Sequence, residues 1–134
     1  MEYNLAHALL GRFGILIPLL GFFFEIAGIF TKKKLVSNIA GFIVIVGSTI
    51  GILAGITGIL WAKSLLEPLP IKFHYIAGFL ITVSFFFIVV LRSFLFKVHK
   101  ERLAVIYLIL LVITVLATLI NNEITAHALY KIRE

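Results

Sequence analysis

The chain contains no cysteine, and only 13% of its 134 residues are Asp, Glu, Lys or Arg. Without thiols there are no disulfides, thiolate-bound metals, iron–sulfur clusters or thioether-attached haem. A metal or cofactor must therefore be held by histidine, carboxylate, methionine or backbone. That pool is small, with four histidines, six acidic residues and one methionine. Soluble domains carry about 25% charged and 45 to 50% apolar residues. Here 62% of positions are apolar and the mean hydropathy is +1.17, which excludes a water-soluble fold. No long polar stretch leaves room within these residues for a nucleotide-binding module or a second soluble domain.

What remains is membrane. The apolar content amounts to about 83 positions, and four bilayer-crossing helices of roughly 20 residues each use about 80. Four apolar runs, each bounded by charge or proline, predict an all-α integral membrane four-helix bundle. It is a single transmembrane domain over residues 1–134, with spans at about 5–30, 38–62, 71–96 and 103–127. Pro68 and Pro70 fix an irregular connection between the second and third runs, and Pro18 lies inside the first. The N-terminus does not read as a cleaved signal peptide, since no basic cluster precedes the first run. The first partner is a lipid bilayer and the expected location a cell membrane, multi-pass.

Seven of the twelve basic residues crowd into residues 31–38 and 92–102: Lys32, Lys33, Lys34, Arg92, Lys97, Lys100 and Arg102. By charge density that side is cytoplasmic, which places both termini on the same, outer side. The net charge of +6 then belongs to loops facing anionic head groups and implies no nucleic acid.

Small residues mark the helix contacts. His7, Gly11, Gly14, Pro18, Gly21, Glu25 and Gly28 recur at alternating steps of four and three, forming one stripe along the first helix. Ser37, Gly41, Val44, Ser48, Gly51, Gly55 and Gly58 do the same on the second. Stripes of this kind let two backbones approach closely in lipid.

Chemistry concentrates at two levels. His7, His74 and His127 are separated by even numbers of crossings and share one side of the membrane, opposite His99. His7 lies on the glycine stripe, and His127 has Glu123 four residues earlier on the same helical face, where a carboxylate orients a liganding imidazole. Arg12 and Lys72 belong to the same layer and can pair with acidic cofactor groups. Two of the three histidines are therefore candidate ligands of haem b or of a single metal ion, and spacing alone does not separate haem from zinc or copper. The absence of thiols and the aromatic content lean toward b-type haem. At the other level stands Glu25, an intramembrane carboxylate on the buried stripe. It is a candidate proton or ion site, or else the partner of Lys32, Lys33 or Arg92.

The segment His7-Ala8-Leu9-Leu10-Gly11-Arg12-Phe13-Gly14 resembles the opening motif, His-Pro-Leu-Leu-Val-His-Phe-Pro, of an uncharacterised family of small four-helix bacterial membrane proteins. Glu25 near the end of the first helix, His74 opening the third, and a last helix ending in His127 to Tyr130 extend the resemblance over nearly the whole chain. Ala8 and Gly14 stand where that motif has proline, and Arg12 where it has a second histidine. The resemblance implies association with cytochromes.

The leading expectation is a membrane subunit that binds haem b near the outer face and takes part in electron transfer with a quinol pool or an external carrier such as a cytochrome. One alternative is a cofactor-free structural or assembly subunit of a larger membrane complex or homo-oligomer. Another is a small proton or metal permease centred on Glu25. No nucleophile–base–orienter set points to a hydrolase.

Overall fold

A computed structural model describes the backbone of residues 3–64 and 72–133, and the side chains of residues 5–61, 63 and 74–127. It contains four helices: α1 (Tyr3–Thr31), α2 (Lys34–Ser64), α3 (Lys72–Lys97) and α4 (Glu101–Arg133). There is no strand among the described residues. Each helix contains an apolar stretch long enough to cross a bilayer. The chain is a four-helix bundle of a multi-pass membrane protein, with the start of α1 at Tyr3 and the end of α4 at Arg133 lying at the same end of the bundle.

Charged and polar breaks set the helix boundaries. α1 ends where Thr31 turns its hydroxyl back onto the Ala27 carbonyl at 2.8 Å. Lys32 follows with φ of 56°, in the left-handed region. That backbone turn lets only Lys32 and Lys33 connect α1 to α2. Residues 98–100 make the equally short link from α3 to α4. Short links force antiparallel neighbours, so the helices form a ring in which α1 meets α2, α2 meets α3, α3 meets α4 and α4 meets α1. The α1–α4 seam is the most open of the four.

The closest pair is α1 with α2, and the small-residue stripes are the reason. Gly14 faces the Gly51 backbone, Gly28 faces Ser37, and Gly47 receives the ring of Pro18. A Cβ built on Gly47 would stand 2.6 Å from Pro18 Cδ. Pro18 thus sits buried within a continuous α1. Farther round the ring the core is bulkier: Val44, Phe85, Ile88, Tyr107, Leu111 and Val115 close the centre. The outward faces carry Phe13, Leu16, Phe23, Phe42, Phe79 and Ile113, all more than half exposed. Such a girdle is stable only in lipid.

Candidate functional site

Two polar clusters lie inside this apolar shell, one at each end of the bundle. At the terminal end His7 of α1 and His74 of α3 face each other across the ring, with ring centroids 5.9 Å apart in an edge-to-face arrangement. His7 Nδ1–H donates to the Ala54 carbonyl at 2.7 Å. This fixes the tautomer and leaves Nε2 as the basic nitrogen. His74 Nδ1 and Thr125 Oγ1 are 2.7 Å apart. In the tautomer that leaves Nε2 basic, His74 Nδ1–H donates to that hydroxyl oxygen. Asn121 sits beside His74, with its Oδ1 buried and outside hydrogen-bonding geometry with any donor among the described residues. Trp61 packs on His7 and Tyr75 on His74, with centroids 6.1 and 6.0 Å apart.

Glycines make this arrangement possible. Gly58 lies flat against the His7 imidazole, where a Cβ would come within 2.9 Å of Cε1. Gly11 and Gly78, one turn inward of His7 and His74 respectively, have nothing within 4 Å of a built Cβ. The space they leave is part of a cavity of about 60 Å³ lined by both histidines, Thr118 and Asn121. That volume accommodates an ion with a water or two. A centroid separation of 5.9 Å lies within the span of two imidazoles that share one ion at metal–nitrogen distances of about 2.0 to 2.1 Å. A porphyrin fits only if the helices part.

The structure thus brings together two of the three expected histidines. His127 is exposed; it stands two residues past Thr125 and so projects from nearly the opposite side of α4. Glu123 and Arg12 are likewise exposed, and the Lys72 side chain lies outside the described residues. Among the described residues no group of three or more His, Cys, Asp or Glu is arranged to hold a metal ion. The other polar side chains lining the cavity are Thr118, Asn121 and Asn122, whose oxygens are the further protein donors the described residues offer beside the His7–His74 pair.

At the basic-loop end Glu25 of α1 is buried and paired with Arg92 of α3. Arg92 Nε donates to Glu25 Oε2 at 2.9 Å, and Nη2 to Oε1 at 3.3 Å. Nη2 also donates to the Ser37 carbonyl at 2.7 Å. The guanidinium lies 4.6 Å above the Phe96 ring centroid and 5.7 Å from that of Tyr107. Gly41 opens the space it fills, since a Cβ there would stand 2.6 Å from Cζ. Of the partners the sequence allowed Glu25, the structure selects Arg92 and keeps the pair inside the bundle.

Arg92 belongs by sequence position with the loop cations, yet it is only 5% exposed. The signal that locates it is periodicity: His74, Gly78, Ile81, Phe85, Ile88 and Arg92 follow the same four-and-three steps as the α1 stripe. His7 to Glu25 and His74 to Arg92 are both 18 residues, five full turns at 3.6 residues per turn. The two helices run parallel, so matching spacings align both pairs at once. On α4, Tyr107 stands at the level of the Glu25–Arg92 pair and Asn121 and Thr125 at that of the histidines, with Thr114 and Thr118 the buried hydroxyls between them. No protein family, curated protein or solved structure matches the chain.

Proposed function

We propose that the chain is a membrane subunit that holds a metal centre between His7 and His74 and uses it in electron transfer with a quinol pool or an external carrier. The observation that carries this reading is the pair itself. Two imidazoles from non-adjacent helices meet at one cavity, and the Nδ1 of each is engaged by a protein oxygen. This is the support that liganding histidines receive in metal sites, where the hydrogen bond on one ring nitrogen orients the other. The redox-active metals that suit two neutral imidazoles are a copper ion and the iron of haem b. The cavity volume favours the bare ion, with Asn121 Oδ1 as a third donor. The haem form calls for widening of the open α1–α4 seam. The bound metal would supply a one-electron couple. The chain's own part is to hold both rings in place, exclude lipid through Trp61 and Tyr75, and keep the site at one membrane boundary.

The permease reading needs a carboxylate free to exchange its proton or ion. Glu25 accepts two hydrogen bonds from Arg92, an arrangement that favours a fixed charge and a structural role. A cofactor-free assembly subunit shares the same packing and differs only in having no metal.

Metal analysis and an absorption spectrum of the purified full chain separate these readings. A Soret band lost in both His7→Ala and His74→Ala supports haem b, and stoichiometric copper lost in the same variants without a Soret band supports the ion. His127→Ala leaves either signal intact. A colourless wild type that takes up no metal, or a signal indifferent to both substitutions, overturns the proposal.

A further inference from the structure

The second cavity, at the basic-loop end, is the larger of the two clusters' cavities at about 290 Å³. Its polar wall is Glu25, Lys32, Ser37, Arg92, His99 and Tyr107. The balance of donors and acceptors there is one-sided. The Glu25 carboxylate, the one anionic group of the wall, accepts a hydrogen bond from Arg92 on each of its oxygens. Arg92 spends Nε and Nη2 on Glu25 and Ser37, and its Nη1 has no acceptor among the described residues. The buried Tyr107 hydroxyl sits beside Glu25 and Arg92 outside hydrogen-bonding geometry with either. Lys32 and His99, both exposed at the rim, add a fixed positive charge and an imidazole N–H. Four donor groups therefore face one space, and two of them, Arg92 Nη1 and the Tyr107 hydroxyl, lie on buried side chains and have no hydrogen-bond partner among the described residues.

The remaining wall is apolar and comes from three helices: Ile29 of α1, Leu95 of α3 and Leu108 of α4. Ile29 is 55% exposed on the outer face, so the wall runs directly onto lipid-facing surface at the open α1–α4 seam. A ligand entering there is an amphiphile, with an anionic head for the donors and a chain for the aliphatic wall. Basic pockets between helices near the cytoplasmic surface bind anionic lipid head groups, and phosphate oxygens accept several charge-assisted hydrogen bonds at once.

Lys32 stands in the short link between α1 and α2. It occupies a left-handed backbone position, φ 56°, where glycine sits without strain. Its side chain lines this cavity.

We propose that the Lys32–Arg92–His99–Tyr107 cavity binds the phosphate head group of an anionic bilayer lipid, which enters between α1 and α4. The test uses purified full-length protein in nanodiscs of phosphatidylcholine alone, of phosphatidylcholine with phosphatidylglycerol, and of phosphatidylcholine with inorganic phosphate in the buffer. Thermal melting and native mass spectrometry of retained lipid are the readouts. The expected result is a higher melting temperature and one retained phosphatidylglycerol per chain. Affinity falls about tenfold or more in Tyr107→Phe and in Lys32→Gly, the loss of a hydrogen bond to a charged group. Tyr107→Phe preserves the packing, and Lys32→Gly relaxes the turn, so neither loss reflects unfolding. Lys33→Ala and Lys100→Ala, outside the cavity wall, keep the full effect. Equal melting in both lipid mixtures overturns the proposal, as does undiminished retention in Tyr107→Phe and Lys32→Gly. Inorganic phosphate reproducing the whole effect in phosphatidylcholine alone overturns the lipid as its source.

Discussion

A guanidinium inside an apolar bundle needs acceptors, and the four helices supply its surroundings jointly. α1 gives the Glu25 carboxylate, α2 the Ser37 carbonyl and the gap at Gly41, α3 the Phe96 ring and α4 the Tyr107 ring. Removing one member of such a buried pair leaves an uncompensated charge, at a cost of about 3 to 5 kcal/mol. Glu25→Gln and Arg92→Gln should each destabilise by about that much in a denaturation series in detergent. The double variant Glu25→Leu/Arg92→Leu should lose less than either single one, because no lone charge remains. Additive losses would show that the two side chains act independently. Lys32 illustrates the opposite case. Replacing a left-handed lysine by glycine should raise stability by up to about 1 kcal/mol in anion-free detergent, measured by the same series. In the native bundle with anionic lipid, the same change removes a head-group donor. The sign of the effect on melting should therefore depend on the lipid, which separates backbone strain from ligand binding.

At the scale of elements, the ten glycines divide by what a Cβ would meet. Gly47 abuts the Pro18 ring, a rigid neighbour, so Gly47→Ala must push α1 and α2 apart at about 1 to 3 kcal/mol. Gly78 faces open space in a helix interior, and Gly78→Ala should stabilise by roughly 0.5 to 1 kcal/mol through helix propensity. The measurement is again the denaturation midpoint, and the two alanines should move it in opposite directions. By its spacing Gly11 belongs to the α1 packing stripe with Gly14 and Gly21. In the bundle Gly11 borders the histidine cavity, and a Cβ there would have nothing within 4 Å. A stripe shows which face is buried, and only the neighbouring helix shows whether a given position on it is filled. His127 makes the same point from α4. It shares a side of the membrane with His7 and His74, but the helix turns Thr125 inward in its place.

On the scale of the molecule, the two polar pairs are 18 residues apart along both α1 and α3, about 27 Å at 1.5 Å per residue. A hydrocarbon core is about 30 Å thick, so the pairs stand near its opposite boundaries and the interior between them stays mostly apolar. The lysine-rich ends predict which boundary faces the cytoplasm. Because the chain has no cysteine of its own, single cysteines report topology cleanly. Lys33→Cys and Lys100→Cys should react with a membrane-impermeant maleimide only in inverted membranes, and Ala126→Cys only in intact cells. The reverse pattern would turn the molecule over and put the histidine pair inside.

Composition and hydrophobic periodicity by themselves determined the environment, the four helices and the buried stripes, because apolar burial and backbone hydrogen bonding act locally along each helix. The pairing of Glu25, and the choice of His7 with His74 over His127, were decided only by the tertiary structure. Both depend on how each helix is rotated about its axis, and that rotation is fixed by interlocking surfaces on separate helices: Gly47 against Pro18, and Gly41 beneath Arg92. The scarcity of charge excluded a soluble protein. The fold then gathered a few of the remaining polar side chains into two sites.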